Sequence, residues 1–185
     1  MTILIAEVKT QSPFGYKSSK TWDELFSIAR MHGDWISIHT DPRWGGSFDL
    51  IAKARGKTAK PILAKGIHSH DTDIIKALAH GATYVLVVGR IPAAELLPEC
   101  LIEVNSLEEL LLIPLGTKVV WNTRDLSTGK SKNETFAQAR AAWSGWLCQA
   151  SFIRDAADVN ESANAILVGE GLERYVDSLQ KERKK

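Results

Sequence analysis

The feature that most constrains this chain is a strict alternation of short β-branched or aliphatic runs with amphipathic helical segments. The runs are Ile3 to Val8, Trp35 to Thr40, Pro61 to Lys65, Tyr84 to Val88, Leu101 to Val104, Lys118 to Trp121, Trp146 to Gln149 and Ala165 to Val168. A helix or turn after every run argues for a parallel sheet with helices outside it, because parallel neighbours need a crossover between them. Eight runs point to closure, so the expected fold is a compact (β/α)8 TIM barrel, with an open doubly wound sheet as the structural alternative. At 185 residues the chain falls below the roughly 250 residues typical of such barrels, so its helices and loops must be shortened. No linker or low-complexity stretch divides it, and residues 1–185 are expected to form one barrel domain.

The helical segments carry recognisable punctuation. Thr21 and Glu24 form a capping-box pattern before the apolar stripe Trp22, Leu25, Phe26 and Ala29, which stops at Gly33. A second helix is expected from Asp49 toward Gly56. A third is expected to be capped by Asp71, with Ile74, Ile75, Leu78 and Ala79 on one face and Gly81 at its end. Ser106 and Glu109 repeat the capping box before Leu110 and Leu111, and Asn133 opens a helix through Phe136 and Ala137. The segments after Pro92 and after Ile153 have room for single turns only. The last helix follows Gly171 and frays into a Lys-rich tail.

Charge and composition narrow the classes of partner. A formal net charge of +1 draws the chain toward neither nucleic acid nor an anionic membrane, so a small molecule is the expected partner. No apolar run approaches a bilayer span, and Met1 leads directly into Thr2-Ile3-Leu4-Ile5-Ala6 without the basic region of a signal peptide, so a cytoplasmic location is expected. Cys100 and Cys148 stand alone among apolar neighbours, as reduced buried thiols do, and lack metal-ligand spacing. His68-Ser69-His70-Asp71 has the two-apart histidines of some metal sites, but it lies on a loop entering a helix, and no metal is expected there. Gly169-Glu170-Gly171 is no dinucleotide fingerprint, because it ends the last strand. Trp22, Trp35, Trp121, Trp143 and Trp146 read as packing residues, whereas Trp44, in a glycine-rich loop, is placed to line an aromatic pocket.

The strand ends hold the chemistry. By the two-residue period Glu7 and Lys9 share a face of the first strand, Lys65 closes the third, Glu103 and Asn105 the fifth, and Asn122 and Arg124 the sixth. All fall at C-terminal ends, where β/α barrels gather their reacting groups. Two lysines and two glutamates confined together push one another's proton affinities apart and supply donors and acceptors near neutral pH. A Schiff-base lysine is the alternative use of the same residues. Gly169 and Gly171 let backbone amides approach a phosphate at the start of the final helix.

These motifs resemble the indole-3-glycerol phosphate synthase family, over nearly the whole chain. The resemblance is carried by Ile5-Ala6-Glu7-Val8-Lys9 with Ser12-Pro13, by Trp44-Gly45-Gly46-Ser47-Phe48-Asp49-Leu50 and by Pro61-Ile62-Leu63-Ala64-Lys65. It continues in Leu101-Ile102-Glu103-Val104, Asn122-Thr123-Arg124-Asp125-Leu126 and Leu167-Val168-Gly169-Glu170-Gly171-Leu172. The resemblance implies a barrel enzyme of tryptophan biosynthesis that closes and decarboxylates a carboxyphenylamino-deoxyribulose phosphate. It implies that Lys65 is the general acid at the ketone, that Glu103 and Lys9 handle the later proton transfers and dehydration, and that Glu7 and Asn122 support them. Lys9, Ser12 and the turn Gly169, Glu170 and Gly171 would hold the phosphate, with Arg124 orienting the site. Loss of carbon dioxide and water needs proton donors and acceptors but no metal or organic cofactor. A tryptophan-pathway partner or a homo-oligomer is a further implication.

The chain also departs from the family pattern. Where the family shows Glu-Ser-Gly after the seventh strand, the aligned residues here are Gln149, Ala150 and Ser151, which removes a carboxylate from the phosphate side. Lys65 is followed by Gly66-Ile67 in place of Asp-Phe. The segment that precedes the first strand in the family is absent from this sequence, so a reduced form of the enzyme is expected. The rival readings are a non-catalytic barrel that binds a phosphorylated metabolite or a partner protein, and a sugar-phosphate isomerase or lyase on the same fold.

Overall fold

The computed structural model describes residues 2–182. Eight strands alternate with six α-helices: β1 (Ile3–Val8), α1 (Trp22–His32), β2 (Trp35–His39), α2 (Phe48–Arg55), β3 (Ile62–Lys65), α3 (Asp71–Ala79), β4 (Tyr84–Val88), β5 (Cys100–Val104), α4 (Leu107–Leu110), β6 (Lys118–Asn122), α5 (Phe136–Ala142), β7 (Leu147–Ala150), β8 (Ala165–Val168) and α6 (Leu172–Glu182). Short 3-10 turns at Ala94–Glu99 and Ala156–Asp158 replace the helices expected to be trimmed, and a third covers Pro42–Trp44. Every strand pairs parallel with its sequence neighbour, and β8 closes on β1, so the sheet is a complete barrel rather than an open one. The tail beyond residue 182 lies outside the described residues.

Strand alternation sorts the core into two shells. Leu4, Ala6 and Val8 of β1 face outward into the layer that also holds Leu25, Phe26 and Ala29 of α1. Ile5 faces inward with Leu63, Leu86, Leu101, Val120 and Leu167. At the N-terminal end the Trp35 ring stacks on Tyr84 at 4.6 Å and on Trp146 at 6.0 Å. Each such pair is worth about 0.5–1.5 kcal/mol beyond its buried area. This aromatic plug closes one end and leaves the opposite end to polar groups. Cys148 belongs to the inner shell and Cys100 to the outer one; burial pushes the Cys100 thiol up to about 12 and Cys148 higher still, so neither is a ready nucleophile.

Several helix starts differ from the sequence expectation, each for a local reason. The capping box at Thr21 and Glu24 is present, with Thr21 N–H donating to the Glu24 carboxylate at 2.7 Å. In α3 the capping position is His70, whose N–H donates to Asp73, while the Asp71 carboxylate is drawn away to the Arg90 guanidinium and the Ala93 N–H. Its buried face is Ile74 and Ala77, and Ile75 is 56% exposed. Thr135 rather than Asn133 caps α5, because Gln138 stands at the position that completes its capping box. Ser106 caps α4, but Glu109 reaches past it to the Asn105 N–H, and the helix ends before Leu111, which is solvent-exposed. Asn105 therefore serves this helix start and does not reach the barrel mouth.

Candidate functional site

The inward face of the C-terminal ends carries Glu7, His39, Lys65, Glu103 and Asn122 on five different strands. Lys65 Nζ donates to Glu7 Oε1 at 2.5 Å, and His39 Nε2 lies 2.9 Å from the same oxygen. Asn122 Nδ2 donates to Glu103 Oε1 at 2.8 Å, while Asn122 Oδ1 accepts from Ser151 Oγ at 2.7 Å and from the Arg124 N–H at 3.0 Å. Gly169 of the β8 turn is required by this packing, because a Cβ there would overlap the Glu7 carboxylate.

Burial and charge push these groups in different directions. Burial alone would raise the Glu7 carboxyl, but Lys65, His39 and Lys9 outweigh it and hold the group well below the ordinary carboxylate range. Burial works against the Lys65 ammonium, yet Glu7 and Glu103 raise it above an ordinary lysine, so it is a loaded proton donor at neutral pH. Glu103 moves the opposite way: burial raises it, and Lys65 with the Asn122 hydrogen bond only partly offsets the rise. Burial lowers the proton affinity of the His39 imidazole, with Glu7 opposing. Two carboxyls of one type thus have split affinities, one fixed as an anion and one able to take and return a proton.

Two cavities open onto this cluster. One, of about 480 Å³, has an apolar wall of Phe14, Trp44, Ile67, Val88 and Leu126 beside Lys65, Glu103 and Asn122. The Trp44 ring is held parallel to His39, 5.8 Å between centroids, with Phe14 edge-on at 6.5 Å. The other, of about 430 Å³, is lined by Lys9, Arg124, Ser151 and the Gly169, Glu170 and Gly171 turn that leads into α6. Lys9, Lys65, Arg124 and Ser151 border both. Glu170 joins the cations of the second cavity, Oε1 to Lys9 Nζ at 2.8 Å and Oε2 to the Arg124 guanidinium at 3.3 Å. The Arg124 guanidinium is further fixed between the rings of Phe14 and Phe152, at 5.5 and 4.6 Å.

On the seventh strand only alternate residues turn toward the site. Cys148 and Ala150 face the barrel interior, whereas Gln149 points outward, where its amide donates to Asp158 O and accepts from the Asn160 N–H. The inward position at the end of β7 is therefore Ala150, which offers no carboxylate to the mouth. Ser151 and Phe152 follow with left-handed φ values of 68° and 57°, a conformation that suits glycine. The Ser151 hydroxyl is held on Asn122.

Of the residues singled out in the sequence, Lys9, Lys65, Glu7, Glu103, Asn122, Arg124, Ser151, Trp44 and the glycine turn come together at one mouth. Ser12 does not line either cavity; its hydroxyl accepts from the Phe14 N–H and shapes the loop after β1. His68 and His70 do not converge: His68 is buried with Nε2 2.9 Å from Thr40 Oγ1 and Nδ1 against Leu86 O, and His70 is exposed. Among the described residues no group of three or more His, Cys, Asp or Glu side chains is arranged to hold a metal, and no helix is long and apolar enough to cross a membrane. The residue that sequence reasoning missed is His39. Its signal was the two-residue period of β2, which puts Trp35, Ser37 and His39 on the inward face, with His39 paired in register to Lys65.

Comparison with known proteins gives one consistent answer. The chain matches the family described as indole-3-glycerol phosphate synthase over residues 1–184. It is 31% identical to the indole-3-glycerol phosphate synthase of Mycolicibacterium vanbaalenii, covering 91% of this chain and 71% of that protein. It is 30% identical to that of Mycobacterium avium, covering 94% and 72%. The Listeria monocytogenes protein of the same name is 28% identical, with 92% and 77% covered.

Proposed function

The chain belongs to the indole-3-glycerol phosphate synthase family, and we propose that Lys65, Glu103 and Lys9 carry the proton transfers by which this carboxy-lyase works. The reaction of tryptophan biosynthesis turns 1-(2-carboxyphenylamino)-1-deoxyribulose 5-phosphate into indole-3-glycerol phosphate, carbon dioxide and water. In ring closure the aromatic carbon bearing the carboxylate attacks the ketone carbon, and the ketone oxygen takes a proton from Lys65. Loss of carbon dioxide returns its bonding electrons to the ring system. Glu103 and Lys9 then remove one proton and deliver another to the departing hydroxyl, which leaves as water.

The observation that carries this reading is that Lys65 borders both an apolar-walled cavity and a cationic one. An anthranilate-like ring fits against Trp44, a phosphate fits toward Lys9, Arg124 and the glycine turn, and the ketone between them falls beside the Lys65 ammonium. Glu7 supports Lys65 by keeping it protonated, and Asn122 supports Glu103 by a hydrogen bond. A small phosphorylated substrate drawn from a biosynthetic pathway also favours action in the cytoplasm, by a single barrel domain.

The test is to add the carboxyphenylamino substrate to the purified chain and follow indole fluorescence. Turnover that is lost in Lys65→Met is expected. No indole product at any enzyme concentration would overturn the catalytic reading.

A further inference from the structure

We propose that Glu170 is a built-in anion that fills the phosphate subsite, and that a ligand's phosphate must displace it to reach Lys9 and Arg124. The inference rests on reading this end of the mouth as the phosphate subsite. It starts from one side chain: each Glu170 carboxylate oxygen is committed to a different cation, Oε1 to Lys9 and Oε2 to Arg124. Both cations are nearly enclosed, with side chains 9% and 14% exposed, so neither has much surface left for a second anion. A phosphate dianion set down beside that carboxylate would be repelled at short range in a poorly solvated site.

The carboxylate has a way out. Its side chain is 29% exposed and sits on the turn between β8 and α6. Arg154 lines the same cavity and makes no ion pair among the described residues, so a displaced Glu170 has a cation to turn toward. Two arrangements of one residue follow, with Glu170 on Lys9 and Arg124 when the site is empty and swung outward when phosphate is bound. A singly charged or neutral ligand end gains little by replacing a carboxylate already paired twice, whereas a dianion gains a charge. Glu170 thus raises the selectivity of the site for phosphate at the cost of affinity, since binding is weakened by the fraction of time the competent arrangement is populated.

Glu170→Gln keeps the shape and removes the charge. Calorimetry with inorganic phosphate should show about tenfold tighter binding, the gain expected when a competent arrangement populated roughly one time in ten becomes dominant. The Michaelis constant for the carboxyphenylamino substrate should fall with it. Glu170→Asp, which retains the charge, should stay nearer the parent, and Glu173→Gln, which removes a surface carboxylate of α6 paired with Lys20, should change nothing. Unchanged or weaker phosphate binding in Glu170→Gln would overturn the proposal and make Glu170 a brace or a substrate ligand. The calorimetry needs no turnover, so a chain that makes no indole product but binds phosphate more tightly as Glu170→Gln would sink the catalytic reading alone. Turnover with no effect of Glu170→Gln would sink this one alone.

Discussion

Lys65 and Glu7 form a buried ion pair at 2.5 Å across the barrel interior, from β3 to β1, with the ammonium still bordering the substrate cavity. The pair keeps the ammonium protonated while leaving it at the cavity wall, as the proposed general acid requires. Replacing Lys65 by Met keeps the stem and removes the proton. Turnover should fall by about a hundred- to ten-thousand-fold, the usual contribution of a general acid. A variant with near-parent turnover under saturating substrate would exclude Lys65 from that role.

The same pair makes the stability of the fold pH-dependent at both ends. Glu7 has a folded proton affinity below its unfolded one, so its contribution is present above the unfolded carboxylate value near 4.5 and is lost as pH falls through the folded value. Lys65 is raised, so its contribution is present below the unfolded lysine value near 10.5 and is lost as pH rises through the folded value. Denaturant melts of the parent across this range should show both losses. Glu7→Gln should flatten the acid limb and weaken the alkaline one, and an unchanged acid limb would mean that Glu7 is not ionised in the folded barrel.

Glu103 should show the opposite balance between stability and activity. Its folded carboxyl is raised by burial, so the protein loses stability as pH rises from the unfolded value toward the folded one, and the ionised group remains a burden above it. Glu103→Gln removes that burden and can still accept from Asn122 Nδ2 through its amide oxygen. The variant should melt no lower than the parent at neutral pH while turnover drops by about a hundredfold or more. A loss of only a few-fold would make Glu103 structural.

The barrel was legible because eight β-branched runs and their crossovers leave few other solutions, and the mouth because strand alternation carries Glu7, Lys65, Glu103 and Asn122 inward together. What was harder to read depended on competition between neighbours. Asn133 and Thr135 both suit a helix start, and only the partner Gln138 decides between them. At β7 a match to a three-residue motif favoured Gln149, whereas the period running from Cys148 favours Ala150. Glu170 was read through its flanking glycines, because nothing local says that a side chain on one turn will meet cations that follow β1 and β6.

His39 gives a prediction that the sequence motifs do not. Burial lowers its folded proton affinity below the unfolded value near 6.5, so the chain should lose stability as pH falls below that value toward the folded one. Its Nδ1 is buried without a partner, and its ring backs Trp44. His39→Gln should remove this component of the mildly acidic loss, seen as a smaller drop in melting temperature between pH 7 and pH 5. It should also raise the Michaelis constant by loosening Trp44. Equal drops in parent and variant would show that His39 does not titrate with folding.

Phe152 sets two effects against each other. A left-handed φ costs a residue with a Cβ about 1 kcal/mol, which Phe152→Gly would recover. The same change removes the ring over the Arg124 guanidinium, worth about 0.5–1 kcal/mol at a half-exposed site. Net stability should therefore shift little, while phosphate binding should change because Arg124 is no longer held. A large loss of stability with unchanged phosphate affinity would show that the ring packs the loop and does not position Arg124.

Trp44 separates binding from chemistry. Its ring walls the cavity that Lys65 borders, and it is stacked on His39 with an edge contact to Phe14. A substrate ring resting there is held equally in the ground state and the transition state, since no charge develops against the wall. Such uniform binding appears in the Michaelis constant and leaves kcat almost unchanged. An aromatic contact of about 0.5–1.5 kcal/mol corresponds to roughly a two- to tenfold rise for Trp44→Ala, with Trp44→Phe recovering part of it. Steady-state kinetics on the carboxyphenylamino substrate distinguish the outcomes. If kcat fell with an unchanged Michaelis constant, Trp44 would be shaping the Lys65 and Glu7 end of the site through His39 rather than holding the aromatic ring.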